Sequence, residues 1–215
     1  MGGARDDEEL ERYLAEVTVG PAEHADIRLR DHDPAWAERF RREATRIHEA
    51  LDGRELRLEH IGSTSVPGLV AKPIIDILLV IDDPDDETSY LPALEAAGFE
   101  LRVREPDFDR HRMLRTPEKD VHVHVFPPES GEICRYLLFR DRLRTDAADR
   151  ELYAAEKRRL AAQDWTTMQH YAEAKTVVVE AIIARAAVAR ARSGEAGRPD
   201  DGPAEPAAEG ADAPA

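Results

Sequence analysis

The stretch His60–Ile77 reads HIGSTSVPGLVAKPIIDI, and the segments at its two ends have the composition of β-strands. At one end, Glu55–Ile61 alternates apolar and polar residues, as half-buried strands do. At the other end, Ile74–Ile81 (IIDILLVI) is almost wholly apolar, a pattern typical of a strand that is buried on both faces. The glycine-containing residues between Gly62 and Gly68 then form a tight loop and a short helical turn. The sequence therefore predicts two neighbouring strands joined by this loop.

Two polar features of this stretch point to a ligand-binding site. Gly62, Ser63 and Thr64 follow a strand directly, where backbone N–H groups and hydroxyls can converge on a phosphate. The same residues also suit a plain strand-to-helix turn, in which glycine supplies an unusual φ and serine caps the helix. Asp76 lies among branched aliphatic residues, where a carboxylate is costly to bury unless it is paired or binds a cation. We therefore expect an anion-binding loop beside a catalytic, metal-binding Asp76.

The order of these features resembles a known superfamily. A strand, a Gly-Ser pair, twelve further residues (Thr64–Ile75) and a strand-borne aspartate are similar to the layout of the nucleotidyltransferases typified by DNA polymerase beta. In that superfamily the Gly-Ser loop holds a triphosphate, and two or three carboxylates hold Mg²⁺ ions. The resemblance implies the same type of fold for this chain.

The sequences of residues 60–69 (HIGSTSVPGL) and 71–77 (AKPIIDI) more specifically resemble the signature of the GrpB-like family. Members of this family also occur fused behind dephospho-CoA kinase. The resemblance covers roughly Ile27–Arg185. Its further matching segments are Asp33–Trp36, His122–Val125, Phe139–Arg144, Tyr153–Leu160, Tyr171 and Lys175.

The stretch departs from the superfamily pattern two residues after Asp76, where Leu78 stands in place of a second acid. One carboxylate cannot hold two Mg²⁺ ions in the usual way. His122 and His124 lie two apart on a predicted strand and so share a face, and with Asp76 they form a two-histidine, one-carboxylate metal site. Such a set suits Zn²⁺, Mn²⁺ or Fe²⁺ better than Mg²⁺, and Asp120 is a candidate fourth member. The alternative is one core histidine bonded to a backbone group and one partly exposed histidine.

Two basic residues are candidate partners for an anionic ligand. Lys72 precedes Pro73, which favours an extended backbone near the loop. Arg140 is the second candidate, although Arg140 and Asp141 also suit a helix-surface ion pair of little energetic value. His60 can hydrogen-bond across the loop, where we expect a structural role.

The whole chain is predicted to form an α+β (α/β-like) domain with a mixed sheet of about five strands, flanking helices and a helical C-terminal half. Residues 1–24 form an acidic, partly helical extension, residues 25–190 form the domain, and residues 191–215 form a disordered acidic Ala/Pro/Gly tail. The predicted strands are Ala25–Arg30, Glu55–Ile61, Ile74–Ile81, Phe99–Arg104, Arg112–Arg115 and Val121–Phe126. The predicted helices are Leu10–Val19, Pro34–Leu51, Thr88–Ala97 and a helical region from Gly131 to about Arg190.

The composition narrows the class of protein. The 215 residues carry a net charge of −15, which argues against stable nucleic-acid binding because phosphate neutralisation needs clustered Lys and Arg. A single cysteine, Cys134, excludes an internal disulfide and fits a cytoplasmic protein, and its setting predicts a small buried thiol. No apolar run approaches the ~20 residues of a membrane span.

Three functions remain open from the sequence. The first is a nucleotidyltransferase-like protein that binds a nucleotide or phosphorylated small molecule at Gly62, Ser63, Thr64, Lys72 and Arg140, with a divalent metal (Mg²⁺, Mn²⁺ or Zn²⁺) on Asp76. The second is a catalytically inactive binding or folding-assistance module, which the loss of the second acid favours. The third is a metal-dependent hydrolase that cleaves phosphoesters through the histidine pair.

Overall fold

The structure is a computed structural model that describes residues 7–21, 27–53, 57–165, 167–192 and 194. Its centre is a five-stranded sheet in the order β1-β2-β5-β4-β3. Only β2 and β5 are parallel, and the other neighbouring strands are antiparallel, so the sheet is mixed as predicted. The strands are β1 (Arg57–Ile61), β2 (Ile75–Val80), β3 (Glu100–Glu105), β4 (His111–Arg115) and β5 (Val121–Phe126).

Seven α-helices surround the sheet within the described residues, and four of them make up the C-terminal half as predicted. The helices are α1 (Asp7–Val17), α2 (Ala35–Ala50), α3 (Leu91–Ala96), α4 (Gly131–Thr145), α5 (Ala147–Ala161), α6 (Met168–Glu173) and α7 (Thr176–Arg192). The Ser130 hydroxyl accepts from Glu132 N at 3.1 Å and caps α4, while Asp146 accepts from Asp149 N at 2.9 Å and caps α5.

The helix predicted at Thr88–Ala97 is shorter than expected. A 3-10 turn over Glu87–Ser89 precedes α3, which begins at Leu91. Pro92 has no N–H to donate to the preceding turn, so it suits the first turn of a new helix and cannot continue an earlier one.

Strand β2 is covered on both faces, as its apolar composition predicts. Its odd-numbered residues pack against α2 and α3, and Leu78 packs on the opposite face in a smaller cluster with Ile61, Phe126 and Ile133. The larger cluster includes Trp36, Ile47, Leu51, Ile75, Ile77, Leu79, Leu94, Val121, Val123 and Val125. The chemistry-bearing residues therefore lie on the less heavily packed face.

A third cluster joins the loop after β1 to the C-terminal helices. Val66, Leu69 and Val70 from the loop pack against Leu143 of α4, Tyr153 and Ala154 of α5, and Ile182 of α7. The helical half therefore forms one wall over the loop, and its side chains reach the candidate site.

Outside the sheet, the structure contradicts one prediction from the sequence and leaves parts of others outside the described residues. The prediction that Cys134 is buried was wrong, because the neighbouring Ile133 faces the core and Cys134 is exposed on α4. Of the predicted strand Ala25–Arg30, Arg30 forms an isolated bridge with Ala71, and Ala25 lies outside the described residues. The predicted acidic tail lies outside them from residue 195 onward. No helix in the described part combines the length and apolar composition of a membrane span.

Candidate functional site

The parallel pairing of β2 with β5 brings together the three residues of the predicted metal site. Asp76 is in register with His122, and Leu78 is in register with His124. The Asp76 Oδ1 atom lies 3.6 Å from His122 Nδ1 and 3.8 Å from His124 Nε2. One ligand atom from each residue lies within 4.8 Å of the other two, a spacing over which a metal ion can bind all three.

The Asp76 carboxylate is kept ionised by its neighbours. Burial raises its pKa, but the two histidines outweigh burial and hold the pKa of Asp76 below its ordinary value. About a quarter of the side chain is exposed, so a ligand can reach it. The site therefore offers one negative charge and two imidazole nitrogens.

Gly62 presses directly against this carboxylate. Its φ of 68° lies in the left-handed region. A Cβ at this position would lie 2.1 Å from Asp76 Oδ2, so no larger residue fits without displacing the acid. The loop and Asp76 consequently adjoin.

The other loop residues hold its shape. Ser65 Oγ donates to the Gly62 carbonyl at 2.6 Å, and Thr64 Oγ1 donates to the Ile74 carbonyl at 2.8 Å. Because its one proton is used, the Thr64 hydroxyl accepts from His60 Nε2 at 3.1 Å. Burial lowers the pKa of His60 to about 4 despite the opposing charge of Asp76, so His60 is neutral. Thr64 and His60 thus have structural contacts.

Two arginines of α4 also contact the loop region. The sequence predicts Arg140 as an anion partner, but in the structure Arg140 donates to Glu59 at 2.8 Å and to Asp141 at 2.7 Å. Arg144, which the sequence analysis did not single out, donates through Nε and Nη2 to the Ser65 carbonyl at 3.1 and 2.9 Å. Arg144 therefore fixes the loop, while carboxylates neutralise Arg140.

A group of lysines extends from the loop into the helical half. The Lys157 Nζ donates to the Val70 carbonyl at 2.8 Å, and the Lys175 Nζ lies 4.1 Å from the centroid of the Tyr171 ring. Burial lowers the pKa of Lys157 far below its usual value, and it lowers the pKa of Lys175 to about 8. Repulsion from Lys175 adds to the first shift, and repulsion from Lys72 adds to the second. The negative charge that opposes both shifts is Asp76.

Two tyrosines accompany these lysines. Tyr153 shares a side-chain hydrogen bond with Ser63, and burial raises its pKa. The Tyr171 hydroxyl is buried and has no hydrogen-bond partner within the described residues. Each tyrosine precedes a lysine by four residues, and the Nζ of each lysine lies over the ring of its tyrosine, at 5.3 Å for Lys157 and 4.1 Å for Lys175. This spacing of four residues between a tyrosine and a lysine is the feature of the sequence that could have predicted the two pairs.

Asp120 lies outside the candidate metal cluster. Its Oδ2 atom is 2.6 Å from Arg39 of α2, and its Oδ1 atom accepts from Thr116 at 2.8 Å. Although an even number suggested the same face as His122, Asp120 precedes β5 and turns toward α2. The candidate cluster in the described chain is therefore Asp76, His122 and His124.

Comparison with known proteins gives matches over most of the chain. A model of the family described as GrpB protein matches residues 26–185. A UPF0157 protein of Halalkalibacterium halodurans is 51% identical over 184 residues, which are 85% of this chain and 92% of that relative. The crystal structure of the conserved protein GrpB from Enterococcus faecalis has a TM-score of 0.66 at 34% identity, covering 74% of this chain and 96% of that chain.

Two further similarities are more limited. A 78-residue segment is 37% identical to a dephospho-CoA kinase of Mycobacterium bovis, covering 35% of this chain and 19% of the kinase. The Cid1 poly(U) polymerase bound to MgGTP has a TM-score of 0.43 at 15% identity, covering 67% of this chain and 44% of that chain. The second likeness is too distant to carry an argument about this site.

Proposed function

This chain belongs to the GrpB family, and we propose that it binds a nucleotide or another phosphorylated small molecule with the help of a divalent metal. The observation that carries the proposal is the contact between Gly62 and Asp76, since a Cβ on the glycine would lie 2.1 Å from the carboxylate. Because the loop and the acid adjoin, a phosphate on the loop amides lies within reach of a cation on Asp76.

The residues that would hold the metal are Asp76, His122 and His124. One carboxylate and two imidazoles suit Zn²⁺ or Mn²⁺, and this set leaves coordination positions for phosphate oxygens or water. When bound, the metal would act as a Lewis acid on a phosphoryl oxygen. The partial exposure of all three side chains supports an open site of this kind.

The lysines would bind the remaining phosphate charge. Lys175 repels Lys157, and Lys72 repels Lys175, as the lowered pKa values of Lys157 and Lys175 indicate. An anion relieves this repulsion, and a chain of two or three phosphates supplies enough charge for several ammonium groups. Tyr171 offers a hydroxyl for a further hydrogen bond. These groups support a di- or triphosphate over an uncharged metabolite.

As an enzyme, the protein would transfer a nucleotidyl group to a small molecule or a protein in the cytoplasm. In that reaction the acceptor oxygen attacks the α-phosphorus, the bond to the leaving pyrophosphate breaks, and the acceptor proton passes to a base. Asp76 is the catalytic candidate because it adjoins both loop and metal ligands. The single carboxylate restricts the site to one metal on these residues.

The second candidate is an inactive binding or folding-assistance module of the same fold. Leu78, where a second acid would stand, is wholly buried against Ile61 and Phe126. That packing favours a site that binds its ligand without turnover. The two candidates share the ligand and differ in chemistry.

Thermal unfolding tests the shared part of the proposal. Untagged protein would be screened with nucleoside mono-, di- and triphosphates, each with Mg²⁺, Mn²⁺ or Zn²⁺. A ligand at ~100 times its dissociation constant adds about 2.7 kcal/mol to the free energy of unfolding. We expect a metal-dependent stabilisation that Asp76→Ala removes and Asp82→Ala retains, since Asp82 is exposed just beyond the same strand. Absence of any metal-dependent stabilisation would contradict the proposal.

Turnover separates the two candidates. Pyrophosphate release from the stabilising triphosphate would be measured with a panel of hydroxyl-bearing acceptors and with protein acceptors. Release that requires both Asp76 and the metal identifies an enzyme. Binding without release over the panel favours the inactive module.

A further inference from the structure

A line of hydrogen-bonded side chains runs across the sheet and ends at the metal cluster. Glu105 of β3 is in register with His111 of β4, and Glu105 Oε2 contacts His111 Nδ1. The other ring nitrogen, His111 Nε2, lies 3.1 Å from His124 Nδ1. The far nitrogen of His124, Nε2, faces Asp76 Oδ1 at 3.8 Å. Each histidine of this line therefore uses both nitrogens.

The far end of the line is anchored by the first helix. The Tyr13 hydroxyl of α1 donates to Glu105 Oε1, so both oxygens of this carboxylate have partners. Tyr13 precedes the segment 26–185 that matches the family model. The N-terminal extension consequently contributes to the surroundings of the site.

The middle of the line is shielded from water. The His111 side chain is 7% exposed, and its ring stacks on Phe126 with centroids 4.5 Å apart. The Glu105 side chain is 14% exposed. Water therefore competes little for these hydrogen bonds, and the ring of His111 has a fixed orientation.

The positions of the protons follow from the carboxylate. An ionised carboxylate only accepts hydrogen bonds. Burial raises the pKa of Glu105, but hydrogen bonds from His111 and Tyr13 and the nearby histidines outweigh it and lower the pKa, so Glu105 is ionised. His111 Nδ1 must then carry a proton. A neutral His111 therefore presents a lone pair at Nε2.

The same reasoning passes to the next ring. Because His111 Nε2 accepts, His124 Nδ1 must donate across their 3.1 Å contact. A neutral His124 has one proton, so its Nε2 carries a lone pair. That lone pair faces the Asp76 carboxylate, and two electron-rich groups in this arrangement favour a cation between them.

We propose that Glu105 and His111 are positioning residues that hold His124 in the Nδ1–H tautomer and so present its Nε2 atom to a divalent metal beside Asp76. The inference rests on the proposed function for the metal and adds how one ligand is prepared. Metal-binding histidines commonly donate their second N–H to an oriented acceptor, and a histidine–glutamate pair has that role here. Removal of such a partner typically lowers metal affinity ~10–100-fold.

The tautomer itself is measured without any metal. Long-range ¹H–¹⁵N spectra of the imidazole rings distinguish protonated nitrogens from those with lone pairs. In the untagged, metal-free wild type we expect a protonated Nδ1 on both His124 and His111, with a lone pair on His124 Nε2 when the ring is neutral. An unprotonated Nδ1 on His124 would overturn the inference, whatever the protein binds.

Glu105→Gln tests the positioning role. With Tyr13 donating to the amide oxygen, the amide N–H₂ group faces His111 and donates to its Nδ1. The chain of donors then reverses and places a proton on His124 Nε2. We expect the Zn²⁺ affinity, measured by competition with a chelating dye, to fall ~10–100-fold, together with a change in the His124 tautomer.

Glu100→Gln is the matched control. Glu100 is exposed on the same strand and loses the same charge. It should retain the wild-type affinity and tautomers. Equal losses of Zn²⁺ affinity in both variants would show that the effect comes from the lost charge alone. That result would overturn the positioning role. Should Glu105→Gln not fold, the wild-type spectra alone decide the tautomer.

The outcomes separate this inference from the proposed function. Wild-type protein that binds no Zn²⁺ or Mn²⁺ contradicts the proposed metal and with it the role of His124 as a ligand. Protein that binds metal at Asp76 with the opposite His124 tautomer, or with undiminished affinity in Glu105→Gln, keeps the proposed function and loses the positioning residues.

Discussion

Gly62 shows how a backbone position and a carboxylate constrain each other. The left-handed φ of 68° allows the chain to turn immediately after β1, and the absent side chain leaves room for the Asp76 carboxylate. Either condition alone favours glycine, since other residues are destabilised by roughly 1–3 kcal/mol in such a conformation. Together they make the residue a sensitive probe of the pocket.

Gly62→Ala should damage both stability and ligand binding. The new Cβ would lie 2.1 Å from Asp76 Oδ2 and would push the acid away from the histidines. We expect a loss of about 1–3 kcal/mol in the free energy of unfolding from the backbone alone, together with loss of metal-dependent stabilisation. Chemical denaturation and Zn²⁺ titration measure the two effects.

Gly68→Ala is the control for backbone strain. Gly68 has a φ of 78°, and a Cβ there would meet nothing within 4 Å. It should lose similar stability and keep its metal affinity. Equal metal binding in both alanine variants would show that Gly62 does not shape the site.

The lowered pKa of Lys175 predicts that the protein takes up protons when it binds an anion. Because its folded pKa is about 8, the free protein at that pH carries the proton on roughly half of its molecules. A bound phosphate chain favours the charged form and raises this pKa, so binding should take up roughly 0.5 proton. Calorimetry in buffers of different ionisation enthalpy measures this uptake. No uptake at pH 8, or equal uptake in Lys175→Met, would place the anion elsewhere.

The same shift has a sign for stability. The folded pKa of Lys175 lies below the value of 10.5 for an unfolded lysine. Burial of its charge therefore disfavours folding below about pH 8, and this penalty is relieved as the pH rises from about 8 toward 10.5. Binding of the proposed anion would offset this penalty at neutral pH.

At the scale of elements, α4 supports the loop more than its surface charges suggest. Arg144 donates twice to the Ser65 carbonyl, whereas Arg135 of the same helix pairs with Glu132 and Glu180 near the surface. Hydrogen bonds from a charged donor to a partly buried acceptor contribute more than exposed ion pairs. Arginines of the same helix therefore contribute differently to the stability of the protein.

Arg144→Ala should destabilise the protein by about 1–3 kcal/mol, because the Ser65 carbonyl loses its donors. Arg135→Ala should cost less than about 1 kcal/mol, the value of exposed ion pairs. Urea denaturation of the two variants gives both numbers. A larger loss from Arg135→Ala would mean that α4 is held by its outer ion pairs and not by the loop.

The sequence predicted the elements whose residue patterns are local. Alternation in Glu55–Ile61 and the apolar run Ile74–Ile81 located β1 and β2, because strand periodicity is a local property. The pairing of Asp76 with His122 and His124 followed once the two strands were neighbours. The line of hydrogen-bonded side chains through Glu105 and His111 could not be predicted, because it depends on the register of three strands and on the position of α1.

The helical half was predicted as helix, and only Arg140 of it was predicted as part of the site. Tyr153 and Tyr171 read as core residues at helical spacing, and Lys157 belongs to a Lys-Arg-Arg cluster that resembles a solvated face. Only the packing of α5 against the loop residues Val66 and Val70 turns Lys157 inward. Helical periodicity alone does not say which polar residue is enclosed.

At the scale of the molecule, the chain as a whole is acidic, whereas several basic side chains lie near the loop. The chain carries a net charge of −15, while Lys72, Lys157, Lys175 and Arg144 surround the loop. An acidic surface repels a polyanion over about a Debye length, whereas a single phosphate chain can enter the pocket and contact the lysines. We therefore expect this charge distribution to favour a short phosphate chain over a long polyanion.

This distribution predicts that nucleotides bind and long nucleic acids do not. Fluorescence anisotropy of a labelled single-stranded RNA of about 20 nucleotides should stay unchanged at physiological salt, because few phosphates would find a basic partner. A labelled nucleoside triphosphate should bind in the presence of Mn²⁺, and unlabelled triphosphate should displace it while RNA of equal phosphate concentration should not. Because counterion release strengthens every phosphate contact at low salt, the comparison is repeated at two salt concentrations. RNA that binds more tightly than the triphosphate at both concentrations would show that a polymer is the ligand and that the acidic surface does not exclude it.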